Sequence, residues 1–123
     1  MRRSATLLEG EQLMPSRMGN TRWDTDHVIT EHALLSVIPG REVEFELAFA
    51  KARAIISSMP GCRCLTLSRS IESPSTYLLL VEWEQIDDHT IGFRQSAQYQ
   101  EWRALLHHLY EPFPLVEHFQ TVP

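Results

Sequence analysis

The stretch 76–84 carries apolar side chains on both of its alternating faces, and no other segment constrains the fold as strongly. Successive side chains of an extended strand point to opposite faces of the sheet. The two rows are Tyr77, Leu79, Val81 and Trp83 on one face, and Leu78 and Leu80 on the other. Because neither face is polar, this segment predicts a central strand of the sheet.

The other elements follow from apolar periodicity and from the positions of proline and glycine. The predicted strands are residues 29–38, 62–70, 76–84 and 115–122, and the predicted helices are 41–59, about 87–94, and 97–110. This order, βαββαβ with a short extra helix, is typical of a ferredoxin-like α+β fold. Such a fold is an antiparallel sheet with its helices on one face.

Helices on one face leave the other face of the sheet bare in a single subunit. Leu78 and Leu80 make that bare face apolar, and an apolar patch of this kind is typical of an interface. We therefore expect a homodimer that forms through the open sheet face about a two-fold axis.

The beginning of the chain differs from the rest. Residues 1–26 are rich in polar residues and show no sustained period, so we expect a flexible N-terminal arm before a domain at residues 27–123. Initiation of translation at Met14 or Met18 is an alternative interpretation. An arm could cross to a second subunit or stay disordered, and the sequence does not decide between the two.

Charge and composition argue against several classes of function. The formal net charge is −5 with acids and bases intermixed, so no basic stripe predicts nucleic-acid binding. The apolar runs are too short to span a membrane. Leu7 and Leu8 are followed at once by Glu9, which leaves no apolar core for a signal peptide, and we expect a cytoplasmic protein. Cys62 and Cys64 point the same way on a strand and predict neither a disulfide nor a zinc site.

Several motifs fall at the boundaries of the predicted elements. They are VIPGRE at 37–42, MPGC at 59–62, YLLLVEWE at 77–84, and FRQS at 93–96 followed by Tyr99 and Trp102. With these motifs the chain from Ile29 to Val122 resembles the antibiotic biosynthesis monooxygenase family of dimeric α+β barrels. The resemblance implies a dimer with a pocket between sheet and helices in each subunit. Some members of that family oxidise aromatic polyketide-like substrates to quinones without metal or flavin, and some relatives bind and degrade haem.

Trp83 and His89 are the candidate catalytic residues. Trp83 resembles the pocket tryptophan of the family, and its indole N–H can donate to a substrate oxygen. His89 shares a predicted helix stripe with Ile86 and Phe93, faces inward, and can act as a general base near neutral pH. Each also has a purely structural interpretation, as a core tryptophan and as a histidine bonded to backbone. Some family members carry Asn where this chain has Leu79, which departs from their substrate contacts.

Further residues are candidates for substrate binding because they are aromatic or lie on the same faces as Trp83 and His89. They are Tyr77, Leu79, Phe93, Tyr99, Trp102, His118 and Phe119. The adjacent His107 and His108 should lie at the helix flank or in solvent and diverge too far to share a metal. No metal site and no cofactor is expected, since nucleotide-binding, zinc-protease and esterase motifs are absent from the sequence.

These observations favour a cofactor-independent monooxygenase that oxidises a small phenolic aromatic substrate with O₂. In this hypothesis, deprotonation makes the ring electron-rich enough to react with O₂ directly. One alternative is haem binding or degradation with His107 or His89 as the axial ligand. Haem-degrading relatives also use an Asn on the first strand, and this chain has none between Val28 and Gly40. Another alternative is a non-catalytic dimer that only binds its ligand.

Overall fold

The computed structural model describes residues 28–123, in which four strands make one antiparallel sheet. The strands are β1 (Ile29–Ser36), β2 (Cys62–Arg69), β3 (Thr76–Trp83) and β4 (Val116–Gln120), in the order β2-β3-β1-β4. This arrangement confirms the predicted ferredoxin-like α+β fold. Residues Ile29–Phe119 form one compact unit. The predicted arm at residues 1–26 lies outside the described residues.

The helices lie on one face of the sheet. They are α1 (Glu42–Ser57), a π-helical turn (Asp88–Phe93), α2 (Ala97–Leu106) and a 3₁₀ turn (His107–Leu109). The Ser96 hydroxyl oxygen accepts a hydrogen bond from the Tyr99 backbone N–H at 3.1 Å, which caps the start of α2. None of the helices in residues 28–123 combines the length and the apolar character that crossing a membrane requires.

The core lies between the sheet and these helices. One stripe of α1 is buried, as its period of apolar residues predicts: Phe45, Phe49, Ala52 and Ile56. The row of β3 that faces this stripe is buried along its whole length: Tyr77, Leu79, Val81 and Trp83. The prediction of a central strand is therefore confirmed, with β1 and β2 pairing antiparallel on its two sides.

The opposite face of the sheet, which we call the outer face, carries His32, Leu34, Leu78, Leu80 and Phe119. Leu34 lies opposite Leu78 in the register of β1 and β3, and His32 lies opposite Leu80. Leu34 is 52% exposed and Phe119 is 50% exposed. The outer face therefore carries an apolar patch that is partly exposed in the single chain.

One helix boundary and the exposure of one side chain differ from the predictions for physical reasons. The last helix was expected to reach residue 110, but its α-helical part ends at Leu106 and the tighter 3₁₀ turn follows. Ile86 was expected on an inward stripe with His89, yet it is 45% exposed. Ile86 precedes the π-helical turn, so the 3.6-residue period does not relate it to His89.

Candidate functional site

A buried carboxylate on β1 forms the centre of the candidate site. Glu31 is only 5% exposed, and its Oε1 accepts a hydrogen bond from the Trp83 indole Nε1–H at 2.9 Å. The same oxygen lies 3.3 Å from His89 Nε2. Burial disfavours the charged carboxylate and raises the pKa of Glu31, while the bond from Trp83 partly offsets this effect.

Glu31 was not among the site residues predicted from the sequence, although its position carries a signal. Glu31 alternates with His32 and shares a strand face with Ala33 and Leu35, both of which are buried. A carboxylate in an inward position of a strand needs hydrogen-bond partners, because unpaired buried charge is costly. Trp83 is such a partner, so its N–H is already engaged and is not free to bind a substrate oxygen.

His89 on the π-helical turn links Glu31 to a second imidazole. Its ring stacks on Trp83 with 5.4 Å between centroids, and its Nδ1 lies 2.8 Å from His118 Nε2. Burial, reinforced by the positive charge of Arg94 and by His118, lowers the pKa of His89 to about 3. His89 is therefore neutral at pH 7, with one nitrogen able to donate and the other able to accept.

A small cavity lies beside Glu31 and His89. Its volume is about 30 Å³, and its walls include Leu79, Phe93, Tyr99, Trp102, His107 and Phe113. Such a space holds about one water molecule. The ring of Phe93 contacts the rings of both Trp83 and Trp102, with centroid distances of 6.0 Å and 5.7 Å respectively. The space therefore lies beside these three rings and not among them.

Arg94 brings positive charge to this cavity. The residue follows the π-helical turn and lines the cavity together with Glu31 and His89. Its charge helps to lower the pKa of both His89 and His118. A guanidinium here favours an anion in the cavity over a second cation.

The structure brings most of the predicted site residues together. His89, Leu79, Phe93, Tyr99 and Trp102 line the cavity, and His118 contacts His89 from β4. Trp83 stacks on His89 and does not line the cavity.

Two predicted substrate contacts lie elsewhere. The hydroxyl of Tyr77 donates to Glu46 Oε2 at 2.6 Å at the other end of β3. Phe119 lies on the outer face, where its ring contacts the edge of His32 at a centroid distance of 5.6 Å. Neither residue lines the cavity.

The expected position of His107 was wrong. His107 is half-buried, lines the cavity, and contacts the rings of Tyr99 and Phe113 at centroid distances of 5.8 Å and 5.2 Å. The α-helix ends at Leu106, whose φ is −118°, so His107 does not continue the helical period from which its position was predicted. His108 is exposed, as predicted.

The cysteines and the acidic groups add no further site. Cys62 and Cys64 are free thiols. They were expected to point the same way, but the strand register is irregular between them, so Cys62 lies opposite Trp83 and Cys64 opposite Glu82, on different faces of the sheet. Burial raises the pKa of Cys62 to about 11, which keeps its thiol protonated and unreactive at pH 7. Within the described part of the chain, no three histidine, cysteine or acidic side chains are grouped so that they could hold a metal ion.

Comparison with known proteins relates this geometry to one family. The family described as antibiotic biosynthesis monooxygenase matches residues 28–105. YczJ from Bacillus subtilis (strain 168), itself described as uncharacterized, is 55% identical over 95 residues, which cover 77% of this chain and 100% of YczJ. A Bordetella bronchiseptica crystal structure that carries the family name is 44% identical, with a TM-score of 0.75 over 79% of this chain and 99% of that chain.

A more distant structural relative carries a stated activity. SnoaB from Streptomyces nogalater, a cofactor-independent oxygenase, is 22% identical to this chain. Its TM-score is 0.67, and the match covers 79% of this chain and 95% of SnoaB. At this identity the likeness shows a shared fold.

Proposed function

Because this chain belongs to the antibiotic biosynthesis monooxygenase family, we propose that it is a cofactor-independent monooxygenase that oxidises a small phenolic aromatic compound with O₂. The observation that carries this proposal is the contact of Glu31 with His89 beside a cavity that has aromatic walls. The oxygenase activity of SnoaB, which shares the fold, supports the reaction class.

Glu31 is better suited than His89 to take the proton of the substrate. A general base works best when its pKa is close to the working pH. The pKa of His89 is lowered to about 3, so this imidazole is a weak base at pH 7. The pKa of Glu31 is raised by burial, which makes its carboxylate a stronger base than an ordinary glutamate. Arg94 lines the same cavity and stabilises the phenolate that forms.

The oxidation then needs no external reductant. The phenolate donates one electron to O₂, and the resulting radical pair joins through a new carbon–oxygen bond. The oxygen–oxygen bond then breaks. One oxygen atom stays on the ring as a carbonyl. The other leaves as water, with the hydrogen of the attacked ring carbon and one proton that replaces the proton released on deprotonation. The substrate supplies all of the electrons, so the protein contributes a base, an anion-stabilising cation and a site that excludes solvent.

The cavity must widen before an aromatic substrate can enter it. Small-molecule pockets occupy about 300 Å³ or more, and about 30 Å³ accommodates O₂ but no aromatic ring. Phe113 is the most exposed residue of the cavity wall, at 61%, and lies between the 3₁₀ turn and β4. We place the opening for the substrate at Phe113 and its neighbour Pro114.

The protein is proposed to act as a homodimer through the outer face. Leu34 and Phe119 leave apolar area there that a second copy would cover. The helices and the cavity lie on the other side of the sheet, so each subunit would keep its own site. The cytoplasmic location stays a prediction from the sequence.

Oxygen consumption with a panel of hydroquinones and anthrones tests the function. The wild-type protein should consume O₂ faster than the protein-free reaction, and Glu31→Gln should lower the rate by about 100-fold or more. Glu101→Gln, an exposed acid on α2, serves as the matched control and should keep the wild-type rate. Circular dichroism must show that both variants are folded.

Two outcomes would contradict the proposal. If no compound of the panel is consumed above background while the protein binds one of them, the protein is a non-catalytic ligand-binding dimer. If Glu31→Gln is folded and as active as the wild type, Glu31 is not the base.

A further inference from the structure

Three side chains from three separate elements form a continuous line of polar contacts that leads away from the cavity. Glu31 lies on β1, His89 on the π-helical turn and His118 on β4. The distances are 3.3 Å from Glu31 Oε1 to His89 Nε2 and 2.8 Å from His89 Nδ1 to His118 Nε2. Glu31 and His89 are 5% and 2% exposed, whereas His118 is half-buried. The line therefore runs from the buried carboxylate toward the protein surface.

Both ring nitrogens of His89 have a partner in this line, and His118 has one nitrogen toward His89 and the other available. A neutral imidazole donates from one ring nitrogen and accepts at the other. His89 places Nε2 toward Glu31 and Nδ1 toward His118, so it can accept a proton on one side and release another on the opposite side. Both ring nitrogens of a buried histidine need a partner, and here they have Glu31 and His118. Because the second partner is itself a half-buried imidazole, the line continues from the buried carboxylate toward the surface.

We propose that His89 and His118 form a proton relay that carries the proton released by the substrate from Glu31 to the solvent. This inference rests on the proposed function, since it takes Glu31 as the base. His118 does not line the cavity, so it acts through His89.

The steps of the relay conserve every proton. The substrate O–H gives its proton to the Glu31 carboxylate, and the electron pair stays on the substrate oxygen. Glu31 then gives the proton to His89 Nε2, His89 Nδ1–H gives its proton to His118 Nε2, and His118 Nδ1–H gives one to water. One proton has passed from substrate to solvent, and both imidazoles have changed tautomer. One proton is taken up again when the second oxygen atom leaves as water. It passes along the same line in the opposite direction, and this return restores the starting tautomers.

A relay is needed because the substrate would close the direct route. A ring in the cavity would lie between Glu31 and the opening at Phe113, and Glu31 is already almost fully buried without it. The line through His89 leaves on the side of β4 instead. His118 also points away from the outer face, which the adjacent Phe119 occupies, so the proposed dimer would not cover the exit.

The charged surroundings favour proton passage over proton storage. Arg94 lowers the pKa of both His89 and His118, and burial of each ring acts in the same direction more strongly. An imidazolium in the line is therefore unstable. Protons should pass through the line without resting on either ring.

Steady-state kinetics with two variants of His118 tests the relay. His118→Gln keeps a side chain that can hydrogen-bond to His89 but cannot pass a proton, and we expect kcat to fall by about tenfold or more with KM unchanged. His118→Ala leaves a gap, and added imidazole should restore kcat in this variant but not in His118→Gln. His108→Gln, on an exposed histidine, is the matched control and should behave as the wild type.

Nuclear magnetic resonance of protein with ¹⁵N-labelled imidazoles tests the line without any substrate. A proton shared between the two rings should give a measurable coupling between His89 Nδ1 and His118 Nε2. The coupling should vanish in His118→Gln and remain in His108→Gln.

The two proposals fail in different ways. An active wild type with an equally active, folded His118→Gln would overturn the relay and leave the oxygenase function intact. Absence of the coupling would also overturn the relay alone. A wild type that consumes no O₂ with any compound would overturn the oxygenase function, and with it the relay as a path for a substrate proton.

Discussion

The indole ring of Trp83 stacks on the imidazole of His89, with 5.4 Å between centroids and 18° between the ring planes. The same indole donates its N–H to Glu31. Trp83 therefore fixes two members of the site at once, one through its face and one through its edge. Its role in this arrangement is to position the groups that face the cavity.

Removal of this N–H should affect stability through Glu31. Trp83→Phe keeps an aromatic ring but leaves the buried carboxylate without its donor, and we expect the free energy of unfolding in urea to fall by about 2 to 3 kcal/mol. In a Glu31→Gln background the same substitution should cost about 1 kcal/mol less, because no charge is left unpaired. Strictly additive losses in the double variant would show that the bond contributes nothing to stability.

The protonation of His89 should make stability depend on pH. The pKa of His89 is lowered from 6.5 to about 3 in the folded protein, so below about pH 6.5 the unfolded chain binds a proton that the folded chain does not. Stability therefore falls as the pH drops, by about 2 to 3 kcal/mol between pH 7 and pH 4.5 from this residue. The lowered pKa of His118 adds to the loss, and the raised pKa of Glu31 opposes it.

The variant His89→Phe isolates this contribution, because it keeps a ring against Trp83 and cannot titrate. Urea unfolding of both proteins across this pH range should show a smaller loss of stability in the variant. Parallel profiles would mean that the imidazole titrates normally in the folded protein.

Two glycines with a positive φ should respond differently to alanine. Gly61 has φ +85°, and an added Cβ would lie 2.8 Å from the Cβ of Asp88 and closer still to its carboxylate. That carboxylate accepts the Gln85 backbone N–H at 3.0 Å where the turn that carries His89 begins. We expect Gly61→Ala to cost about 3 kcal/mol in free energy of unfolding.

Gly40 is the matched control for this substitution. It has φ +92° and no heavy atom within 4 Å of an added Cβ, so Gly40→Ala should cost about 1 kcal/mol from backbone strain alone. Thermal unfolding of both variants measures the difference. Equal losses would contradict a specific clash with Asp88.

The outer face should control assembly. Sedimentation velocity at micromolar concentration should show a dimer for the wild type and a monomer for Leu34→Glu, since Leu34 is 52% exposed in the single chain and a carboxylate there would be buried by a second copy. Leu47→Glu, at a 66% exposed position on α1, should remain dimeric. A monomeric wild type would refute the proposed interface.

The sequence predicts the fold well because periodicity reports burial directly. The alternation in β3 and the stripe of α1 each identify the faces that pack together, and Pro60 and Gly61 mark the end of that helix. Such patterns depend on many residues at once. A single polar exception does not disturb them.

The site is harder to predict because it depends on such exceptions and on local helix type. Glu31 is one charged residue in an otherwise apolar inward row, and only the positions of Trp83 and His89 explain why it is tolerated. His107 lines the cavity although the α-helical period predicts a position at the flank, because that period ends at Leu106. The partnership of His89 with His118 joins elements 29 residues apart.

The neighbours His118 and Phe119 project from opposite sides of the five-residue strand β4. A single residue inserted ahead of Val116 would shift the strand by one position and exchange these two sides. The phenyl ring would then take the place next to His89, and the imidazole would move to the surface where a second subunit is expected. We therefore expect a tolerated change in the length of the loop before β4 to leave the register of the strand unchanged, so that His118 and Phe119 keep their present sides.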